Sequence, residues 1–146
     1  MTENVIVTIK GYHQMDGTEQ EPVVMSARGK YSFRSGHHFV SYEEELEEGG
    51  RAKSLIRFDA GSLVMSKKGD LAAQLELAEG KRILTKYQSP AGILEFETLA
   101  EEILLKESED GFELESRYGL YARDAEEPLQ MSRVVIRVEK LSVANE

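Results

Sequence analysis

The 146-residue chain contains no cysteine. That excludes a disulfide framework, a thiolate metal site and a cysteine nucleophile. No apolar run approaches the roughly 18 residues of a membrane-spanning helix, and the first residues, "MTENVIVTIKGYH", lack the basic start and apolar stretch of a secretory leader. Positive charge is scarce too: 18 Lys and Arg stand against 27 Asp and Glu, a formal net charge of −9. This balance argues against a nucleic-acid partner, whose phosphates need clustered cations, and equally against anionic membrane surfaces. Repeats, linkers and low-complexity tails are missing, so residues 1–146 read as one domain. A cytoplasmic protein, monomer or homodimer, is the expectation.

What is present is a series of short β-branched and aromatic runs separated by glycine-bearing turn signals such as "RSGH", "EEGGR", "DAGS", "AEGK", "SPAG" and "SEDG". This spacing predicts an all-β barrel or sandwich, with strands over 5–13, 23–33, 38–46, 52–59, 63–67, 72–77, 83–88, 93–107, 112–123 and 131–141. Short connections call for antiparallel neighbours, because a parallel crossover has no room. The segment "FETLAEEILLKESED" (96–110) is ambiguous. Leu99, Ile103 and Leu104 approach helical spacing, and the glutamates suit a helix. The preceding "GILEFET" alternates cleanly, however, and pairing through "SEDG" with "FELESRYGLY" favours one long strand.

The stretch "SGHHFVSYEEELEEGG" (35–50) holds two of three histidines and a run of glutamates, the composition of a metal or acid–base site. The pleat separates them. If Ser35-Gly36 and Gly49-Gly50 are two-residue hairpin turns, Arg34 opposes His37, Phe33 opposes His38, Glu44 opposes Leu55 and Tyr42 opposes Arg57. Alternate side chains point to opposite faces. Tyr31, Phe33, His38, Val40, Tyr42, Glu44, Leu46, Lys53, Leu55 and Arg57 then share the inward face. Ser54, Ile56 and Phe58 share the outward one with His37, Glu43 and Glu45. A one-residue slip at either turn reverses the assignment. Adjacent histidines on opposite faces cannot hold one ion, so both read as turn-flanking polar residues and no metal site is expected. Glu47 and Glu48 read as a solvated rim. Glu44 is the inward acid, with Tyr42 beside it and Arg57 diagonally across, a pair that must satisfy each other if buried.

Five stretches in order, "GKYSF", "VSYEEE", "KSLIRFDAGSLVMSKKG", "KYQSPAGILEFET" and "SRYGLY", carry a resemblance that runs from about Val5 to Val138. On them the chain is identified as a member of the YwiB-like bacterial family, a domain of unknown function with a calycin-like (lipocalin-type) barrel. The family's Ser-Tyr-x-Glu pattern with a later hydroxyl and basic residue corresponds to Ser41, Tyr42, Glu44, Ser54 and Arg57. Its Tyr-x-x-Pro-x-Gly-x-Leu pattern corresponds to Tyr87, Pro90, Gly92 and Leu94, followed by Thr98. The resemblance implies a single antiparallel up-and-down barrel of about eight to ten strands and carries no activity with it.

A barrel of that size either fills with side chains or holds one small ligand. In the first case the protein is an interaction or assembly factor, acting through a strand edge or its acidic rim. In the second, a small amphiphilic molecule enters the mouth and meets Tyr42, Glu44, Arg57, Lys86 and Tyr87. No cofactor is expected. Catalytic signatures such as a Gly-x-Ser-x-Gly elbow, a His-Glu-x-x-His helix or a phosphate-cradling loop are missing, and paired carboxylates such as Glu44 and Glu97 are weak evidence in so acidic a chain. No enzyme is expected. A stripe of Arg28, Lys30 and Arg34 is the one place where nucleic acid would find cations, and it ranks last.

Overall fold

The computed structural model describes residues 3–15, 18–45, 49–69, 73–89 and 92–141, with backbone alone at 15, 69, 73 and 87–89. Eleven strands follow in order: β1 (Glu3–Met15), β2 (Thr18–Glu19), β3 (Val23–Arg34), β4 (His37–Glu45), β5 (Arg51–Phe58), β6 (Ser62–Gly69), β7 (Ala73–Ala78), β8 (Arg82–Ser89), β9 (Gly92–Ser108), β10 (Gly111–Ala122) and β11 (Gln130–Lys140). No helix occurs among the described residues. Ten of the strands form one antiparallel sheet in the order β7-β6-β5-β4-β3-β1-β11-β10-β9-β8, and the short β2 pairs with β1. Each long strand lies beside its sequence neighbour, and β1 joins β3 to β11. The result is an up-and-down, nearly closed barrel of the calycin type. Its seam falls between β7 and β8, which meet through the Ala78↔Lys81 bridge rather than through a ladder.

The first hairpin matches its sequence reading. Arg34 opposes His37, Phe33 opposes His38 and Tyr31 opposes Val40. Ser35 and Gly36 have φ of 52° and 82°, the doubly positive turn whose twist suits a two-residue hairpin. The second hairpin corrects it. Glu45 opposes Arg51, so five residues (46–50) connect the strands, and Glu44 opposes Ala52 rather than Leu55. Gly49 and Gly50 do supply positive φ, at 88° and 90°, but they end a longer connection. An offset of three residues is odd, so it turns every β5 side chain to the other face. Ala52, Ser54, Ile56 and Phe58 are buried, while Lys53, Leu55 and Arg57 face outward.

Residues 96–108 are extended within β9, as the alternation upstream predicts, and Glu109 and Asp110 form the turn into β10. A bulge interrupts the β9–β10 ladder: Tyr118 opposes Ala100, whereas Arg117 opposes Glu102. The inward set therefore runs Phe96, Thr98, Ala100 and then Ile103, Leu105. The bulge turns Ile103 inward while Leu99 and Leu104 face outward, so the near-helical spacing of these three residues combines both faces of one strand.

The barrel has two unlike ends. At the end bearing the 35–36 and 109–110 turns, the interior is packed. His38 stacks on Phe58 (centroids 4.9 Å, interplanar 16°) and tilts against Phe112 at 4.7 Å and Phe33 at 4.8 Å. Phe33 itself caps this end and is 55% exposed, not interior as its alternation predicts. Val5, Val7, Val40, Ile56, Leu63, Leu77, Leu114, Ile136 and Val138 complete a buried layer. Fully burying one such aliphatic side chain contributes about 1.5–3 kcal/mol.

Candidate functional site

The other end is open. A cavity of about 530 Å³ lies between β4–β7 on one side and β8–β11 on the other. Its walls are largely apolar, with Tyr42, Ile56, Met65, Leu75, Phe96, Tyr118 and Leu120 contributing. These residues reach it because inward positions recur every second residue along each strand. Small hydroxyl residues (Ser54, Thr85 and Thr98) stand where a bulky apolar side chain would have filled the space. Thr98 spends its hydroxyl on the Glu76 carbonyl at 2.7 Å, tying β9 to β7 across the seam. The buried Thr85 Oγ1 has no hydrogen-bond partner. A buried hydroxyl without a partner is costly, and a ligand polar atom would satisfy it.

The five candidate residues divide. Tyr42 is buried and lines the cavity. Burial raises its phenol pKa, with the Ser54 hydroxyl acting the other way and Glu44 adding to the rise, so the group stays a neutral hydrogen-bond donor. Glu44 points inward near the rim and is held by Lys67, whose Nζ lies 2.5 Å from Oε1. Lys67 also lines the cavity. It takes the role that the two-residue turn gave to Arg57. Arg57 itself is on the outer face, opposite Phe39 and Val64, because of the register offset at the second hairpin. Lys86 is likewise outward: it opposes Glu95, and the cavity-facing neighbours are Thr85 on its own strand and Phe96 on β9. The side chain of Tyr87, and Leu46, Glu47, Glu48 and Pro90, lie outside the described residues.

A second polar group at this end escapes any sequence reading. His13 Nδ1 is 2.9 Å from Ser132 Oγ and 2.8 Å from Gln130 Nε2, and Gln130 Nε2 also donates to Ser132 Oγ at 2.9 Å. Burial raises the Tyr118 pKa while a hydrogen bond with Ser132 opposes the rise, which links the network to the cavity wall. His13 and Ser132 are direct cross-strand partners, but they come from the first and last long strands, 119 residues apart. No turn fixes that register. Among the described residues His13 has no carboxylate partner, so the Ser–His contact lacks the orienting acid of a hydrolytic triad.

The histidines of the first hairpin separate as the pleat requires. His37 faces outward against Asp59 at 2.9 Å. His38 is a core residue rather than a turn-flanking polar one, with Nδ1 2.7 Å from the Tyr31 hydroxyl. Among the described residues no three metal-ligating side chains converge, and no helix is long and apolar enough to cross a membrane.

An antiparallel up-and-down barrel, packed at one end and hollow at the other, defines the class: a calycin-like barrel. The chain belongs to the family described as Domain of unknown function (DUF1934), whose model matches residues 7–135. Among solved structures it is similar to the ywiB protein from Bacillus subtilis, with a TM-score of 0.81 and 18% identity over 97% of this chain and 94% of that one. At that identity the likeness establishes the fold alone. A search of curated proteins finds no match.

Proposed function

We propose that the protein binds one small amphiphilic molecule in the open end of the barrel. The observation that carries this reading is the cavity of about 530 Å³, apolar-walled, with the unpartnered Thr85 hydroxyl buried beside it. Small-ligand sites have volumes of about 300–1,000 Å³, apolar walls and a few convergent polar groups. The apolar body of the ligand packs among Ile56, Met65, Leu75 and Phe96, and its polar head meets Thr85, the Tyr42 hydroxyl and, at the rim, Lys67 and Gln130. A head with both donor and acceptor character suits this set better than a bare carboxylate, because the Lys67 ammonium is already engaged by Glu44. Binding, not turnover, is the role: the polar atoms of the mouth hold and orient.

Native mass spectrometry of the full chain purified from its own cells tests this directly. Additional mass of a small molecule is expected, released under denaturing conditions. Bare chain mass, together with no displacement of an apolar fluorescent probe by Leu75→Trp, which fills the cavity, overturns the reading.

A further inference from the structure

The arginines divide by position. All five from Arg82 onward hold a glutamate: Arg82–Glu97 at 2.5 Å, Arg137–Glu113 at 2.9 Å, Arg123–Glu95 at 3.1 Å, Arg133–Glu115 at 3.4 Å and Arg117–Glu102 at 3.7 Å. On the outward face of β3–β6 the pattern reverses. Among the described residues Arg28, Arg34 and Arg57 have no ion-pair partner, and neither have Lys30, Lys53 and Lys68, although the same holds for Lys10, Lys81, Lys86, Lys106 and Lys140 elsewhere, in a chain whose acids outnumber its bases 27 to 18. Net charge averages over the surface and conceals this segregation.

Four of these cations border one concavity of about 680 Å³ on the outer face: Arg28 and Lys30 from β3, Lys53 from β5 and Lys68 from β6. The carboxylate on its border is Glu43, which Arg51 approaches at 3.9 Å. Asn4, Ser41 and Ser66 add neutral hydrogen-bonding groups, and Leu55, 40% exposed, supplies an apolar patch. Lys53 stands between two direct cross-strand partners on this face, Glu43 on β4 and Lys68 on β6. Like charges placed so are destabilising. The fold thus tolerates a repulsion here while pairing every arginine of its other half.

We propose that this outer concavity binds a small organic polyphosphate of the nucleoside triphosphate kind. Each exposed cation attracts a single charge weakly, since solvent and salt screen it over about 8–10 Å. A ligand that concentrates several negative charges engages all four at once. Arg28 offers the planar fork that matches phosphate oxygens, and the lysines act as movable point charges. The remainder of the ligand rests on Leu55 and the aliphatic stems, hydrogen-bonded by Asn4, Ser41 and Ser66. The volume falls within the range for small-ligand sites. The two cavities share Tyr42, Ser54, Leu55 and Ser66 in the wall between them, but the four cations stand at outward positions, and the proposal does not depend on the reading proposed for the mouth.

Calorimetric titration of the full chain tests the assignment, with ATP, inorganic pyrophosphate, inorganic phosphate and a short single-stranded oligonucleotide as probes. ATP is expected to bind most tightly, pyrophosphate more weakly, and both less well as salt is added. The Lys53→Gln/Lys68→Gln double variant loses affinity for ATP by at least about tenfold, the equivalent of one charge-assisted hydrogen bond. Arg28→Gln does the same, and Lys106→Gln, on β9, changes nothing. Circular dichroism checks that the variants fold. Absence of ATP binding at low salt, or unchanged affinity in the double variant, overturns the proposal. So does oligonucleotide binding that ATP does not displace, which would make the face a surface for a nucleic-acid strand.

Discussion

The Tyr31 hydroxyl and His38 Nδ1 lie 2.7 Å apart inside the packed end of the barrel. Nε2 of the same ring faces the Glu107 carboxylate at 3.7 Å, an orientation in which a proton on Nε2 leaves Nδ1 to accept from the Tyr31 hydroxyl. Burial pushes the His38 pKa below 6.5, although Glu107 and Asp59 act the other way. The unfolded chain therefore takes up a proton near pH 6.5 that the folded one resists. Stability from this group is full above that pH and is lost as the pH falls through the lower folded value. Urea unfolding at a series of pH values is expected to show the midpoint falling below pH 6.5, and His38→Gln flattens that limb.

A separate acid limb belongs to Asp59. Burial opposes its ionisation, but hydrogen bonds from the Gly61 amide, the Ser62 hydroxyl and His37 outweigh that and hold its pKa below 3.8. Its contribution is present above the unfolded value and disappears as the pH drops through the folded one. Asp59→Asn is expected to remove pH dependence in that lower window, while the His38 limb persists and extends to lower pH because the Asp59 charge no longer raises the His38 pKa.

Gly111 is the position least able to accept a side chain. Its φ is +150°, and a Cβ there would fall 1.8 Å from the Val138 carbonyl oxygen. Gly111→Ala must displace β11 backbone, so it is expected to cost at least about 2 kcal/mol in denaturant unfolding. Gly36→Ala, at φ +82° but with open space around it, costs about 1 kcal/mol from the backbone alone.

Relieving the Lys53–Lys68 repulsion gives the opposite sign. Lys68→Gln is expected to stabilise the fold by about 0.2–1 kcal/mol, with the larger effect at low salt. A double-mutant cycle with Lys53→Gln reads the coupling. A stability loss in Lys68→Gln would show that the two ammonium groups are not in conflict.

Thr85 separates stability from binding. Its unpartnered hydroxyl is a liability in the empty barrel, so Thr85→Val is expected to be neutral or stabilising by up to about 1 kcal/mol. The same change weakens an amphiphilic probe in the mouth by several-fold. Arg57→Gln, on the outer face, leaves that probe untouched.

The strands and the first register were legible because alternation and a two-residue turn act locally. The site was less so. One pair of glycines, Gly49-Gly50, decided whether Leu55 and Arg57 or Ile56 and Phe58 face inward, and positive φ at both did not reveal the connection length. The apolar character of Ile56 and Phe58 was the better guide than the turn. Leu99, Ile103 and Leu104 imitated a helix because a bulge shifts the phase of alternation between them. The His13–Ser132 contact joins distant strands, and the unpaired cations emerge only once five arginines elsewhere have found their glutamates.

The seam between β7 and β8 has a mechanical consequence. Leu75 on one side and Thr85 on the other both border the mouth cavity, and among the described residues the strands that carry them share no ladder: the Ala78↔Lys81 bridge closes the turn between them, and the Thr98 hydroxyl on the Glu76 carbonyl ties β7 to β9. Enlarging the bore anywhere else would break a ladder of several hydrogen bonds at once. Along this line it strains only isolated contacts, so the compliance of the wall is concentrated beside the cavity. The barrel can adjust its circumference to the girth of a guest while the other walls keep their register.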